Sequence, residues 1–252
     1  MKKIILLCVL MSLFSLMAAC GIDSDIKEPN TVNTKLKIGT TRDTPLYSFV
    51  DENGKLVGFD IDVMNEISKR MNMQPEYFFS TQDSKFAGLS SKRFDAVVGR
   101  TLIDENVSSN YIFTNEYANV TASLVVNDKG KNIHNLNDIT GENTATMVTN
   151  VFGRLALSKK AGIVKVENVK QEFDALKEQK VHFLIEDDHL INYFKKNEGN
   201  SNLEVVSKMP REYGIGVMLR SDDKKMRDSF NKHINDMKKD GTLEALSNKW
   251  FK

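Results

Sequence analysis

The chain has 252 residues, with 35 basic against 34 acidic side chains and a formal net charge of +1. The two signs are interleaved along it, so the concentrated positive field that displaces counterions from phosphates is missing and a nucleic-acid partner is excluded. Its cysteines are Cys8 and Cys20, both ahead of the segment that can fold, so no disulfide staples that segment and packing must stabilise it.

Lys2 and Lys3 precede an apolar run, Ile4 to Met17, followed by the small residues Ala18 and Ala19 and then Cys20. That run is short of the roughly 20 residues a spanning helix needs, and small residues follow it instead of a charged stop-transfer flank. Residues 1–19 therefore read as a bacterial lipoprotein signal, with Cys20 as the lipidated first residue of the mature chain. Two or more acyl chains, at about 0.8 kcal/mol per buried methylene, give stable anchoring. Loss of residues 1–19 removes Lys2 and Lys3 and leaves a formal charge of −1. Residues 20–34 are polar, contain Pro29 and carry no apolar period, which reads as a flexible tether.

Lys35-Leu36-Lys37-Ile38-Gly39 alternates at the strand period, and Asp51-Glu52-Asn53-Gly54 is a hairpin turn. Ile61, Met64, Ile67 and Met71 fall on a helical stripe, with Glu66 and Arg70 at i,i+4 on the wet side and Asp60 placed to cap. Tyr77-Phe78-Phe79 reads as a strand, Ser84 to Ser91 as a short helix, and Phe94 to Gly99 as another strand. The second half restarts with strands at Thr144 to Met147, Ile163 to Val166 and Val181 to Ile185. Helices fall between them, at about Asn150 to Lys160 and Lys170 to Gln179. Ser221 is placed to cap a helix buried through Met226, Phe230, Ile234 and Met237. Gly241 stops it, and Thr242 opens a last helix that buries Leu243, Leu246 and Trp250. Repeated β-α-β order favours mainly parallel sheet flanked by helices, an α/β fold.

Four segments carry a resemblance: Leu36-Lys37-Ile38-Gly39-Thr40, Gly54 to Asp62, Phe94-Asp95-Ala96-Val97-Val98, and Asp240-Gly241-Thr242-Leu243 with Lys249-Trp250-Phe251. In order and spacing the chain resembles the family 3 extracellular solute-binding proteins, which serve polar amino-acid uptake through ABC transporters. The resemblance implies a two-lobed periplasmic-binding-protein-like (type II) fold with two hinge strands. It places lobe one at 35–118 and 215–252, lobe two at 122–211, and hinges at 119–121 and 212–214. It also implies a monomer on the extracytoplasmic face of a membrane, a small zwitterionic ligand, an ABC permease as partner, and no cofactor.

The family pocket has an aromatic ring after the first strand, an arginine for the ligand carboxylate, a Gly-Thr pair opening a lobe-two helix, and an aspartate for the amine. Here the arginine position is Val107. Arg100, with Thr101 beside it at the end of the Val98-Gly99 strand, is placed to take over the charge, since a guanidinium grips a carboxylate through two bonds. The other reading of Arg100 pairs it with Asp104 or Glu105 on the surface. Thr44 stands at the ring position, Tyr47 lies three residues on, and Arg42 shares the loop. Thr149-Asn150 aligns with the Gly-Thr pair, where free helix N–H groups favour anions; a plain Asn150 cap is the alternative. Asp187 aligns with the amine-binding aspartate, with helix capping as its alternative. The Glu186-Asp187-Asp188-His189 cluster, with His182 nearby, lacks a metal-ligand spacing. Two further readings stay open: a dehydratase of the cyclohexadienyl type with Glu186 as its acid, and an adhesin or sensor lipoprotein that has lost transport.

Overall fold

The computed structural model of the chain describes residues 34–252, apart from 82, 105–108 and 200–201. Cys20, the signal, Val107 and Glu105 lie outside the described residues. The alternation at the start of the folded part gives β1 (Lys35–Thr40), with Leu36 and Ile38 fully buried. Three short strands, β2 (Asp43–Thr44), β3 (Ser48–Val50) and β4 (Leu56–Val57), form an antiparallel ribbon. Its turn is fixed by Asp51, whose carboxylate accepts the Asn53 and Lys55 amides.

Helix α1 (Phe59–Arg70) buries Ile61, Val63, Met64 and Ile67, and Arg70 bonds Glu66 at 2.7 Å on its outer side. Asp60 does not cap it. Gly58 occupies the cap position, and the helix docks its first amides on a loop instead: Phe59 N–H donates to Leu46 O at 2.8 Å and Asp60 N–H to Tyr47 O at 3.0 Å. There follow β5 (Gln74–Phe79), α2 (Ser84–Ser90), β6 (Ala96–Val97), β7 (Tyr111–Phe113) and β8 (Ala118–Val126). The second half comprises β9 (Asn143–Thr146), α3 (Val151–Ser158), β10 (Gly162–Lys165), α4 (Val169–Lys177), β11 (Phe183–Asp187), α5 (Asp188–Asn197) and β12 (Glu204–Ile215). The chain ends in β13 (Met218–Arg220), α6 (Lys224–Lys239) and α7 (Thr242–Phe251). Ser221 lies outside α6, which starts at Lys224 with Asp223 before it, whereas Gly241 does adopt the left-handed φ of 82° that stops a helix.

Among the described residues there are two five-stranded sheets, ordered β5-β1-β6-β13-β7 and β10-β9-β11-β8-β12. In each, four strands run in one direction and a single strand, β13 in the first sheet and β8 in the second, runs antiparallel to them. The chain passes from the first sheet to the second along β8 and returns along β12. These strands pair antiparallel from Ala118↔Ile215 through Val120↔Tyr213 to Val126↔Glu204. The result is a two-lobed α/β fold of type II. The C-terminal Lys249-Trp250-Phe251 locks onto α1: Asp62 accepts from Lys249 Nζ at 2.7 Å and Trp250 Nε1 at 2.8 Å, and Phe251 packs on Phe59 at 5.0 Å.

Candidate functional site

After β6 the backbone turns through two left-handed residues, Gly99 at φ 97° and Arg100 at φ 52°. For an arginine this region is strained. Asp60 holds it there: one carboxylate oxygen accepts both the Gly99 and Arg100 amides, at 3.0 and 2.5 Å. Burial pushes the Asp60 pKa up to about 6, against the pull of those amides.

Thus fixed, Arg100 reaches from the first lobe into the second. Its Nη1 donates to Glu186 Oε1 at 2.6 Å, with the two side chains 2% and 1% exposed. Burial opposes the Arg100 charge, but Glu186 and Asp187 more than offset it and raise the pKa. Glu186 is pushed up to about 7 by burial, which Arg100 only partly counters. Glu172 of α4, buried beside this pair, is raised well above its ordinary value by burial and by Glu186. Removing one member of such a pair costs about 3–5 kcal/mol, because the other is left buried and uncompensated.

A second contact crosses the cleft alongside it. Tyr47 Oη donates to Asp187 Oδ2 at 2.5 Å, both residues being fully buried, while Asp187 Oδ1 accepts the His189 amide and caps α5. Phe251 backs this region, stacked on His189 at 4.4 Å and 5.3 Å from the Tyr47 ring. Further along, Thr149 Oγ1 donates to Asp83 at 2.7 Å, and Asp83 also pairs with Lys165 at 3.1 Å.

The expected site residues divide into three groups. Arg100, Thr101, Thr149 and Asn150 line one inner cavity between the lobes. Tyr47 and Asp187 meet each other. Arg42 and Thr44 stand apart: Arg42 lies over Phe79 at 5.8 Å, on an outer cleft of about 410 Å³, and buried Thr44 shares a hydrogen bond with Thr41 at 2.9 Å. Arg100 pairs with Glu186 rather than with Asp104, which pairs with Arg154. Asn150 caps α3, its Oδ1 accepting the Gly153 amide at 2.6 Å. Sequence reasoning missed Lys85, Glu186 as the partner of Arg100, and Asp60 as the brace of the turn. Lys85 shares a buried helix face with Gly88 and Leu89, three and four positions on, and that spacing was the available clue.

Two α/β lobes, joined by paired crossing strands and closed over charged groups from both sides, define a solute-binding clamshell. The chain belongs to the bacterial extracellular solute-binding proteins, family 3, whose family model matches residues 36–252. Among its relatives is the L-cystine-binding protein TcyA of Bacillus subtilis, 27% identical over all of this chain and 98% of that protein. An ancestral arginine-binding protein bound to arginine superposes with a TM-score of 0.80 at 26% identity, over 88% of this chain and all of the other. The L-cystine solute receptor of Neisseria gonorrhoeae, in its unliganded open conformation, gives only 0.58 at 25% identity, over 88% of this chain and 94% of that one. The chain thus superposes better on the arginine-bound relative than on the unliganded open one.

Proposed function

We propose that this chain is the non-catalytic receptor of an ABC importer for a polar amino acid or a closely related small zwitterion, anchored through lipidated Cys20 on the extracytoplasmic face of the membrane. Family membership and the named solutes of the relatives support the class. The observation that carries it to this chain is the meeting of Arg100, Glu186, Tyr47 and Asp187, contributed by both lobes and all buried.

In this reading the solute's acid end lies toward Arg100, Thr101 and the start of α3 at Thr149 and Asn150, and its amine toward Asp187. Tyr47 screens Asp187 until the solute arrives, and Thr44 and Arg42 shape the outer approach. Lobe one comprises 35–118 and 215–252, lobe two 122–211, and the hinges 119–121 and 212–214, where β8 and β12 pair. The protein works as a monomer that hands its cargo to a permease. Binding in the micromolar range needs about −8 kcal/mol, which a few charge-assisted hydrogen bonds in a closing cleft supply.

A thermal-shift screen of the common amino acids and L-cystine on the purified chain tests this. At a hundredfold excess over Kd a ligand stabilises by about 2.7 kcal/mol, a shift of several degrees for a fold of this size. Absence of stabilisation by every zwitterion in the screen removes the reading.

A further inference from the structure

The inner cavity, about 50 Å³, is lined from the first lobe by Lys85, Arg100, Thr101 and Asp104 and from the second by Asn150 and Arg154. That is room for a few water molecules or one carboxylate-sized group. Unmatched donors surround it. Arg100 Nε and Asn150 Nδ2 are buried without a hydrogen-bond partner among the described residues. Lys85 is 3% exposed, and its Nζ reaches only Thr101 Oγ1, at 3.5 Å. Each buried donor left without an acceptor is destabilising, so a cluster of them around one space calls for an acceptor to fill it.

The charges agree with the donors. Arg100 is matched by Glu186 and Arg154 by Asp104, which leaves Lys85 outside any ion pair among the described residues. The carboxylate whose field acts on Lys85 is Asp60; its Oδ2 is committed to the Gly99 and Arg100 amides, its Oδ1 is buried without a hydrogen-bond partner among the described residues, and Lys85 Nζ makes no bond to either oxygen. Burial lowers the Lys85 pKa to about 7. An anion beside it would restore the charged form.

We propose that this cavity is an anion subsite, with Lys85 supplying the charge and Arg100 Nε and Asn150 Nδ2 the flanking donors, and that it receives the carboxylate of the solute. The assignment rests on the cleft-binding reading above and replaces the guanidinium that Val107 does not provide with an ammonium from α2. The body of the solute lies beyond the Thr149–Asp83 hydrogen bond, where the cleft continues past Thr81 and Lys165.

Calorimetry on the full-length chain with L-arginine, L-glutamine and L-cystine, and with the carboxamide of each, tests the assignment in wild type and Lys85→Met. The amino acid that binds wild type should bind Lys85→Met at least tenfold more weakly, and its carboxamide should lose a similar factor on wild type. Without solute, Lys85→Met should unfold at a higher temperature than wild type, since an unmatched buried charge has become an apolar side chain of similar length. A lysine with a merely structural role would give a lower one. Lys85→Met binding as tightly as wild type, or a carboxamide binding wild type as tightly as its acid, overturns the subsite and leaves the cleft-binding reading standing. If wild type binds none of the three, the amino acid found in the thermal-shift screen and its carboxamide take their place, and a wild type that binds no zwitterion of that screen overturns both.

Discussion

Asp60, Glu186 and Lys85 are buried within one charged region, and each is driven toward its neutral form by loss of water. Asp60 and Glu186 titrate near 6 and 7 when folded, against ordinary values of 3.8 and 4.5. Between about pH 4 and 7 the folded chain therefore holds more protons than the unfolded one, and stability falls as pH rises. Lys85 acts above that window: it titrates near 7 folded and 10.5 ordinarily, so there the unfolded chain holds more protons and stability climbs with pH. Glu172, raised well above its ordinary value by burial and by Glu186, extends the falling limb, so the sum predicts a shallow stability minimum at or above neutrality for the solute-free protein, read as urea midpoints from pH 5 to 9. Asp60→Asn, which keeps an oxygen for the two amides, should flatten the acid limb; a maximum near neutrality would refute the assignment. These groups also mark where sequence reading stopped. Short motifs drew attention to Arg100 and Asp187, and the structure pairs them with Glu186 and Tyr47. Lys85, and the pairing of Glu186 with Arg100, drew none, because lysines and glutamates are mostly solvated and only the folded partners make burial tolerable.

Gly58 joins β4 to α1 at φ 136° and ψ 169°, a region that only glycine enters without strain. A Cβ there would stand 2.2 Å from the Tyr47 carbonyl oxygen, the same oxygen that accepts the Asp60 amide. Gly58→Ala should therefore destabilise by about 3 kcal/mol or more, from backbone strain plus displacement of the Tyr47 loop. Gly54→Ala, at φ 76° with nothing within 4 Å, should cost only about 1 kcal/mol. Urea denaturation of the two variants makes the comparison, and equal losses would mean that the loop yields freely. The elements that sequence pattern made legible are those with one buried face, such as α1 with Met64 and Ile67 and α6 with Phe230, Ile234 and Met237. Others escaped for identifiable reasons. β8 is buried along Ala122 to Val126 and so carries no alternation there. β12 contains Pro210 and breaks register between Lys208 and Glu212, features that an edge strand tolerates and a pattern search rejects. The cap expected of Asp60 failed because a neighbouring loop supplied the acceptors, a tertiary solution that local sequence cannot signal.

Across the whole molecule, the contacts that hold the lobes together are made by the protein's own side chains at the positions expected of a solute. Tyr47 stands on Asp187, Glu186 on Arg100 and Asp83 on Thr149. The closed arrangement is thus partly self-supporting, and a solute gains only the difference between its contacts and those it displaces. Loosening the latch without disturbing the Arg100–Glu186 pair isolates this effect. Tyr47→Phe removes a hydrogen bond to a buried carboxylate, worth about 1.5–3 kcal/mol, and Thr149→Val removes a more exposed one worth less. Together they should move the closed-to-open ratio of the solute-free protein at least about tenfold toward open, since about 1.4 kcal/mol is one decade. Small-angle scattering should then give a larger radius of gyration for the double variant, and saturating solute should return it toward the wild-type value. A scattering curve identical to wild type in the absence of solute would mean that packing between the lobes, such as Phe251 on His189, holds the cleft shut without these bonds.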